Sequence, residues 1–472
     1  MTAAPRPRVA VVGGGIAGAA VAHRVTAERP DADVVVLEAA LRTGGKLATA
    51  EVAGVSTDTG AEAFLARRPE AVSLAQEVGL AEDVVHPEPV SARLWSRGTL
   101  APLPRSLMGV PPDVEVLAGL LSEEGLARAR EDATAPPVVL EGDVSVGDLV
   151  ADRMGEEVVQ RLVEPMLGGV YAGHAHRLSA RAAVAGLVAK LDGTRTLGQA
   201  VAAAMPAPGA APGPPVFAGL VGGVGRLPGA VLAASGARVR TGVTVRGLER
   251  RPAGWRLVAG PVPEPEVLDV DAVVLALPAA PAARLLDGPV PLAAAELTGI
   301  ETASMAVVTL AFRADEVSDG VAAGSGFLVP PVEGRAVKGA TFSFAKWAWV
   351  REAGAGVLVL RCSMGRHREE QVLQRTDEEL VALARADLAA AVGLASQPVD
   401  SHVQRWGGGL PQYAVGHLDR VARIRRAVAR VPALAVCGAS YDGVGVPAVI
   451  GSAEAAAEAV LAALQARDTM AP

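Results

Sequence analysis

The strongest constraint on the fold of this chain is its opening run, Val9-Ala10-Val11-Val12-Gly13-Gly14-Gly15-Ile16-Ala17-Gly18, with Val34-Val35-Val36-Leu37-Glu38 behind it. It reads as strand, glycine turn, helix, second strand and acidic residue. A dinucleotide site needs each part. Gly13 permits the tight turn, Gly15 lets the backbone approach a pyrophosphate, and Gly18 lets the helix pack closely on the strand. The free N–H groups at the helix start, from Gly14 to Ala17, face the phosphates. Glu38 stands about twenty residues beyond Gly18, where a carboxylate bonds a ribose hydroxyl. The motif leaves open which dinucleotide binds and what is done with it.

The chain of 472 residues suits two or three domains rather than one core. Half of it is hydrophobic, which excludes a disordered chain. With 44 basic and 51 acidic residues the net charge is −7, which argues against general nucleic-acid binding. Two cysteines, Cys362 and Cys437, exclude a disulfide framework and a cysteine-rich metal centre. Residues Met1 to Arg8 run straight into the first strand and leave no room for a signal peptide, so the expected location is cytoplasmic. No uninterrupted apolar run reaches the length of a membrane span. Peripheral contact with a membrane stays open.

Further along, residues 61–80, Leu117–Arg130, Val144–Leu167, Thr376–Val392 and Ala453–Gln465 read as helices, with Asp143 and Ser145 offering cap chemistry. Val239–Val245 alternates as a strand, and Ala272–Leu277 reads as a buried parallel strand. Ala306–Phe312, Gly326–Val329, Gly339–Phe344 and Gly356–Cys362 suggest an antiparallel sheet, and Pro206–Pro215 a loop. Trp347 and Trp349 alternate as on one strand face. Ala433–Val436, a glycine turn and the last helix repeat the opening theme and return the chain to the first domain.

A second glycine turn, Arg42-Thr43-Gly44-Gly45-Lys46, follows Glu38, where Arg42 or Lys46 reads either as a phosphate partner or as part of a plain polar turn. Asp58-Thr59-Gly60-Ala61-Glu62-Ala63-Phe64 then offers N–H groups and small side chains to a planar ring. These segments together resemble the flavin-containing amine oxidase superfamily. Four more resemble its porphyrinogen oxidases: Leu220–Pro228, Glu164–Gly173 with Leu178-Ser179, Arg405-Trp406 with Leu410–His417, and Cys437–Pro447.

The resemblance implies an α/β, multi-domain fold: a Rossmann-like FAD-binding domain, an antiparallel-sheet substrate domain and a helical insert. The expected FAD domain is discontinuous, over 1–90, 215–295 and 400–472. The expected sheet domain is 295–400 with part of 60–110, and the insert is 90–215, a place for peripheral membrane contact. Non-covalent FAD is implied. Gly13, Gly14, Gly15, Ile16, Ala17 and Gly18 would face its pyrophosphate, and Glu38 with Ala39 the ribose. Arg42, Gly45, Lys46, Gly60, Ala61, Glu62 and Ala63 would follow toward the ring. Val245 would meet adenine through its backbone, and Trp406, Tyr441, Val444, Gly445 and Val446 would close over the flavin. Ala448 stands where some relatives carry Asp, which removes one charge near the cofactor.

The resemblance also implies hydride transfer from a porphyrinogen to FAD, with dioxygen as the final acceptor. No acid–base side chain is required by name. Tyr171, Arg67 and Lys346 are candidates to line the substrate site. Arg67, Arg68, Lys338 and Lys346 read either as partners for the propionates of the macrocycle or as solvated charges. His174 and His176 read as a polar turn rather than a metal site, for want of further ligands. The expected reaction is oxidation of coproporphyrinogen III to coproporphyrin III in haem biosynthesis, by analogy with Gram-positive enzymes and from the Ala/Gly/Arg-rich composition. The alternatives are protoporphyrinogen IX oxidation and amine oxidation. The next chelatase of the pathway is a possible partner.

Overall fold

The computed structural model describes residues 6–207, 213, 215–322 and 324–470. Most of the expected 206–215 loop therefore lies outside the described residues. A five-stranded sheet runs in the order Arg238–Arg240, Asp33–Leu37, Arg8–Val12, Ala272–Leu275, Leu434–Val436, and every pairing in it is parallel. Residues 9–12, 34–37, 272–275 and 434–436 are apolar and buried because both faces of these strands are covered, whereas the edge strand Arg238–Arg240 is largely exposed. Val9, Val11, Val34 and Val36 enter a core shared with helices Ile16–Glu28, Leu227–Ser235 and Val446–Met470. Their neighbours Ala10, Val12, Val35 and Leu37 enter a second core with Trp255, Leu257 and helices Ala279–Leu286, Pro291–Thr298 and His417–Val428. Ala19, Ala20 and Ala22 are buried in the first of these helices, so small side chains let it lie close to the sheet.

The expected strand Val239–Val245 is two strands. Arg238–Arg240 ends the parallel sheet, and Val245–Arg251 starts a three-stranded antiparallel sheet with Gly254–Ala259 and Glu266–Val270. Gly242, at φ +70°, turns the chain between them.

A seven-stranded sheet runs Asp400–Pro411, Thr302–Arg313, Val357–Met364, Val337–Thr341, Gly326–Leu328, Arg93–Ser96, Thr99–Pro102. It is antiparallel except where Gly326–Leu328 meets Arg93–Ser96 in parallel. Asp400–Pro411 pairs along Thr302–Arg313, so the chain does not leave this sheet at residue 400 as expected. It rejoins the parallel sheet only at Leu434. The expected strand Gly339–Phe344 stops at Thr341. The N–H groups of Ala345 and Lys346 both bond the Phe342 carbonyl at 2.9 Å and close the helical turn Ser343–Lys346. Trp347 and Trp349 are consequently at the start of helix Ala348–Gly354, not on a strand.

Between Val114 and Ala204 the chain is helical and builds its own core around Leu117, Val150, Leu162 and Leu167. Glu123–Arg130 starts six residues later than expected, because Ser122 caps it by accepting the Gly125 N–H at 2.9 Å. The long helix expected over Val144–Leu167 breaks at Gly155, at φ +88°, and runs on to Tyr171. Val446–Thr469 has the length and composition of a membrane-crossing helix, with 61% of its apolar stretch buried inside the fold.

Candidate functional site

The two glycine turns are one structure. Gly13 bonds the Leu37 carbonyl and Gly44 bonds the Gly14 carbonyl, each at 2.8 Å, so the second turn is hydrogen-bonded to the first. Their glycines have different duties. A Cβ on Gly13 would stand 2.3 Å from the Ala276 carbonyl oxygen, and one on Gly18 would stand 1.8 Å from that of Gly13. A Cβ on Gly15 would meet nothing nearer than Gly45 Cα at 3.9 Å. Gly15 is thus bare toward open space at the start of the helix, while Ile16 and Ala17 are buried behind it.

Glu38 sits beside this turn. Its two carboxylate oxygens accept from the N–H groups of Gly14 and Ala40, each at 2.7 Å, which leaves outward lone pairs free. Ala39, next to it, is exposed. The Val243 N–H bonds the Glu38 carbonyl at 2.9 Å, and Val245 follows as the first residue of its strand. Val245 therefore starts its strand rather than ending one, still close to Glu38.

Past the second turn, Lys46 is half-buried, and burial lowers the pKa of its ammonium. It has no ion-pair partner among the described residues. A Cβ on Gly60 would overlap the Lys46 carbonyl oxygen at 1.9 Å and touch Trp406 at 3.4 Å. Trp406 donates its indole N–H to the Thr59 carbonyl at 2.9 Å, and the Arg42 guanidinium lies 5.6 Å from its ring. Arg42, Lys46, Gly60 and Trp406 are thus brought together.

Glu62 is the charged centre of the 60–63 turn. Lys346 Nζ reaches one of its oxygens at 2.5 Å, and Arg361 lies 3.2 Å from the other. Burial alone raises a carboxyl pKa, but these two cations outweigh it and hold Glu62 at about 2. Lys346, a candidate to line the substrate site, is ion-paired with Glu62. Arg361 was not singled out from the sequence, because only the sheet register brings it to this turn. Four residues earlier, Asp58 accepts from the N–H groups of Val224 and Gly225, at 3.0 and 2.9 Å. It ties the Leu220–Pro228 segment to the same floor.

The last glycine loop lies where three cores meet. The Tyr441 ring is buried in the core under the parallel sheet, Val444 packs on the core of the helical region, and Val446 enters the core of Ile16 and Leu47. Tyr441 therefore anchors the loop from below and does not cover the cleft with its ring. What the loop presents is its backbone, with Gly443 at φ +143° and Gly445 before the helix. Tyr171 ends its helix buried, 5.7 Å from the Tyr413 ring, and burial pushes its phenol up to about 12. Tyr413 stacks on His417 at 3.9 Å and donates its hydroxyl to the Ala439 carbonyl at 2.6 Å. Arg67 is exposed at the edge of the 60–63 turn. His176 lies between Asp148 at 2.7 Å and Glu156 at 3.1 Å, and His174 bonds the His367 carbonyl at 3.0 Å.

These features fit a flavin dinucleotide: a bare backbone at Gly15, an acidic residue at its side, a half-buried cation at Lys46 without an ion-pair partner among the described residues, and a small-residue turn beyond. The pattern of the flavin containing amine oxidoreductases matches residues 16–461, and the chain belongs to that family. It is a flavin-dependent oxidoreductase. Within the family, a coproporphyrinogen III oxidase of Mycobacterium tuberculosis is 40% identical over 467 residues, spanning 97% of this chain and 98% of that protein. The chloroplastic protoporphyrinogen oxidase of Oryza sativa subsp. japonica is 29% identical, over 93% of this chain and 84% of its own length. The crystal structure of a proposed protoporphyrinogen oxidase from Exiguobacterium sp. 255-15 matches with a TM-score of 0.85 at 29% identity, covering 98% of this chain and 99% of that one.

Proposed function

We propose that the chain catalyses the oxygen-dependent oxidation of coproporphyrinogen III to coproporphyrin III, with non-covalently held FAD as its cofactor. The change removes six electrons and six protons, and three dioxygen molecules leave as three hydrogen peroxides. FAD supplies a two-electron hydride acceptor, used three times per macrocycle. The protein aims one C–H of the macrocycle at that acceptor and keeps water and side reactions out.

One observation carries the reading. The two glycine turns, the 60–63 turn and Trp406 are joined by direct contacts, in a chain alike over nearly its full length to an oxidase of that name. In this reading the N–H groups from Gly14 to Ala17 hold the pyrophosphate and Glu38 the ribose. Lys46 and residues 60–63 run beside the rest of the cofactor, and the backbone of Val444 to Val446 closes its far end. The parallel-sheet unit is the cofactor domain. The seven-stranded sheet and the helical region enclose the macrocycle near Tyr171, with Arg67 at the rim.

Anaerobic mixing tests this. The yellow protein should bleach with coproporphyrinogen III and recover its colour in air with release of peroxide. The Oryza sativa relative supports protoporphyrinogen IX as the second reading. Bleaching by protoporphyrinogen IX, with none by coproporphyrinogen III, would establish the second and defeat the first.

A further inference from the structure

Lys338 is a buried cation without a partner among the described residues. The residue is 4% exposed, and its Nζ has no hydrogen-bond partner among the described residues. No carboxylate of the described residues forms an ion pair with it. A second cation stands close by. The Lys338 carbonyl accepts the Val329 N–H at 3.0 Å, and the Val329 carbonyl accepts from Arg366 Nη2 at 3.1 Å, so the Lys338 backbone and the Arg366 guanidinium meet at one residue, and the Arg366 charge is felt at the Lys338 ammonium. Arg366 is itself buried, and the negative charge nearest it comes from Glu164 and Glu369. Burial and the Arg366 charge pull the Lys338 ammonium down to about 7, so an added anion would restore its full charge. Isolated buried charge is costly, and it persists where a ligand supplies the counter-ion.

The position suits the site already described. Lys338 lies on Val337–Thr341, the strand against which helix Glu164–Tyr171 packs. Gly169 on that helix and Gly339 on that strand both face Leu328, whose Cδ2 would lie 3.8 and 3.2 Å from a Cβ on either, so the helix lies close to the strand. At the other end of the strand Thr341 pairs with Arg361, which grips the 60–63 turn. At the rise of an extended chain Lys338 is roughly 10 Å along from Thr341. A macrocycle reacting above that turn spans such a distance to the carboxylates on its rim.

We propose that Lys338, with Arg366 beside it, is the buried seat for one carboxylate of the porphyrinogen. This rests on the porphyrinogen reading above and adds to it a group that selects substrates by their acidic arms. Lys338 binds substrate and takes no part in the hydride step.

The test compares coproporphyrin III with its uncharged tetramethyl ester, both titrated into flavin-loaded enzyme by porphyrin fluorescence. Lys338→Met should keep its flavin and its melting temperature. It should bind the acid on the order of tenfold more weakly and the ester as before. KM for coproporphyrinogen III should rise while kcat stays within about twofold, and Lys338→Arg should restore acid binding. Equal affinities of Lys338→Met and wild type for the acid, or equal weakening for acid and ester, would overturn the seat. If Lys338→Met loses flavin, Lys338→Gln is read in its place by the same acid-to-ester ratio. Wild-type protein that turns over coproporphyrinogen III while Lys338→Met is unresponsive defeats the seat alone. Wild-type protein that binds neither porphyrin defeats the substrate reading and the seat together.

Discussion

Arg361 donates from Nη2 to the Gly60 carbonyl at 2.8 Å, so a side chain of the seven-stranded sheet holds the backbone of a turn on the parallel-sheet side. The same guanidinium faces Glu62 at 3.2 Å, and Lys346 closes the group from the other oxygen. Removing one partner of a buried charge group leaves the others uncompensated. Arg361→Met should therefore cost about 3 kcal/mol in urea unfolding and weaken flavin binding as the 60–63 turn loosens. Arg313→Met, at an exposed pair with Asp315, should leave the stability close to that of wild type. Equal losses in the two variants would show that the grip on Gly60 has no special weight.

Gly15 and Gly18 separate binding from folding. Gly15 has φ −75°, which any residue adopts, and a Cβ there meets no protein atom nearer than 3.9 Å. Gly15→Ala should leave the flavin-free protein as stable as wild type while lowering FAD affinity by tenfold or more, on the order of 1.4 kcal/mol. Gly18→Ala drives a Cβ to 1.8 Å from the Gly13 carbonyl oxygen and should destabilise the flavin-free protein by about 1–3 kcal/mol. Melting of the flavin-free forms beside a flavin titration reads both. A Gly15→Ala protein with unchanged FAD affinity would remove the pyrophosphate from that turn.

What could be read from the chain alone follows the range of the interactions. The Gly13–Gly18 turn is local, and a parallel strand covered on both faces must be apolar throughout, so the centre of the fold shows in short windows. Helix Asp377–Val392 shows for the same reason, with Thr376 and Glu379 forming a capping box at its start. The rest depends on distant partners. Lys346 and Glu62 are 284 residues apart, and nothing near either says that they pair rather than meet substrate. The strand Asp400–Pro411 looked like the return to the cofactor domain because its partner, Thr302–Arg313, is set by sheet order. Tyr441 belongs to a glycine loop, yet its ring fills a core that only the folded sheet creates.

Glu62 and Asp58 should give opposite pH signatures. Glu62 falls from 4.5 to about 2 on folding, so its stabilisation is fully present above pH 4.5 and is lost as pH falls through 2. That shift is worth about 3 kcal/mol. Burial raises Asp58 from 3.8 to about 6, against its two backbone hydrogen bonds, so its contribution is fully present below pH 3.8 and is lost as pH rises through 6. Unfolding free energies across this range should show wild type losing ground to Glu62→Gln toward low pH. Wild type should gain ground on Asp58→Asn as pH drops from 6 to 3.8. Flat difference curves would contradict both assignments.

Cys437 bears on how the cofactor is held. Covalent attachment through sulfur needs a thiolate within reach of the ring. Cys437 has no exposed surface, bonds the Leu275 carbonyl through its N–H at 3.1 Å, and burial pushes its thiol up to about 12. The only other cysteine, Cys362, is equally buried in the seven-stranded sheet, its thiol also pushed up by burial. Acid precipitation should therefore leave a colourless pellet and all of the flavin in the supernatant. Cys437→Ala should purify with the same flavin content as wild type. Yellow colour retained by the wild-type pellet and lost in Cys437→Ala would establish a covalent link and overturn non-covalent binding.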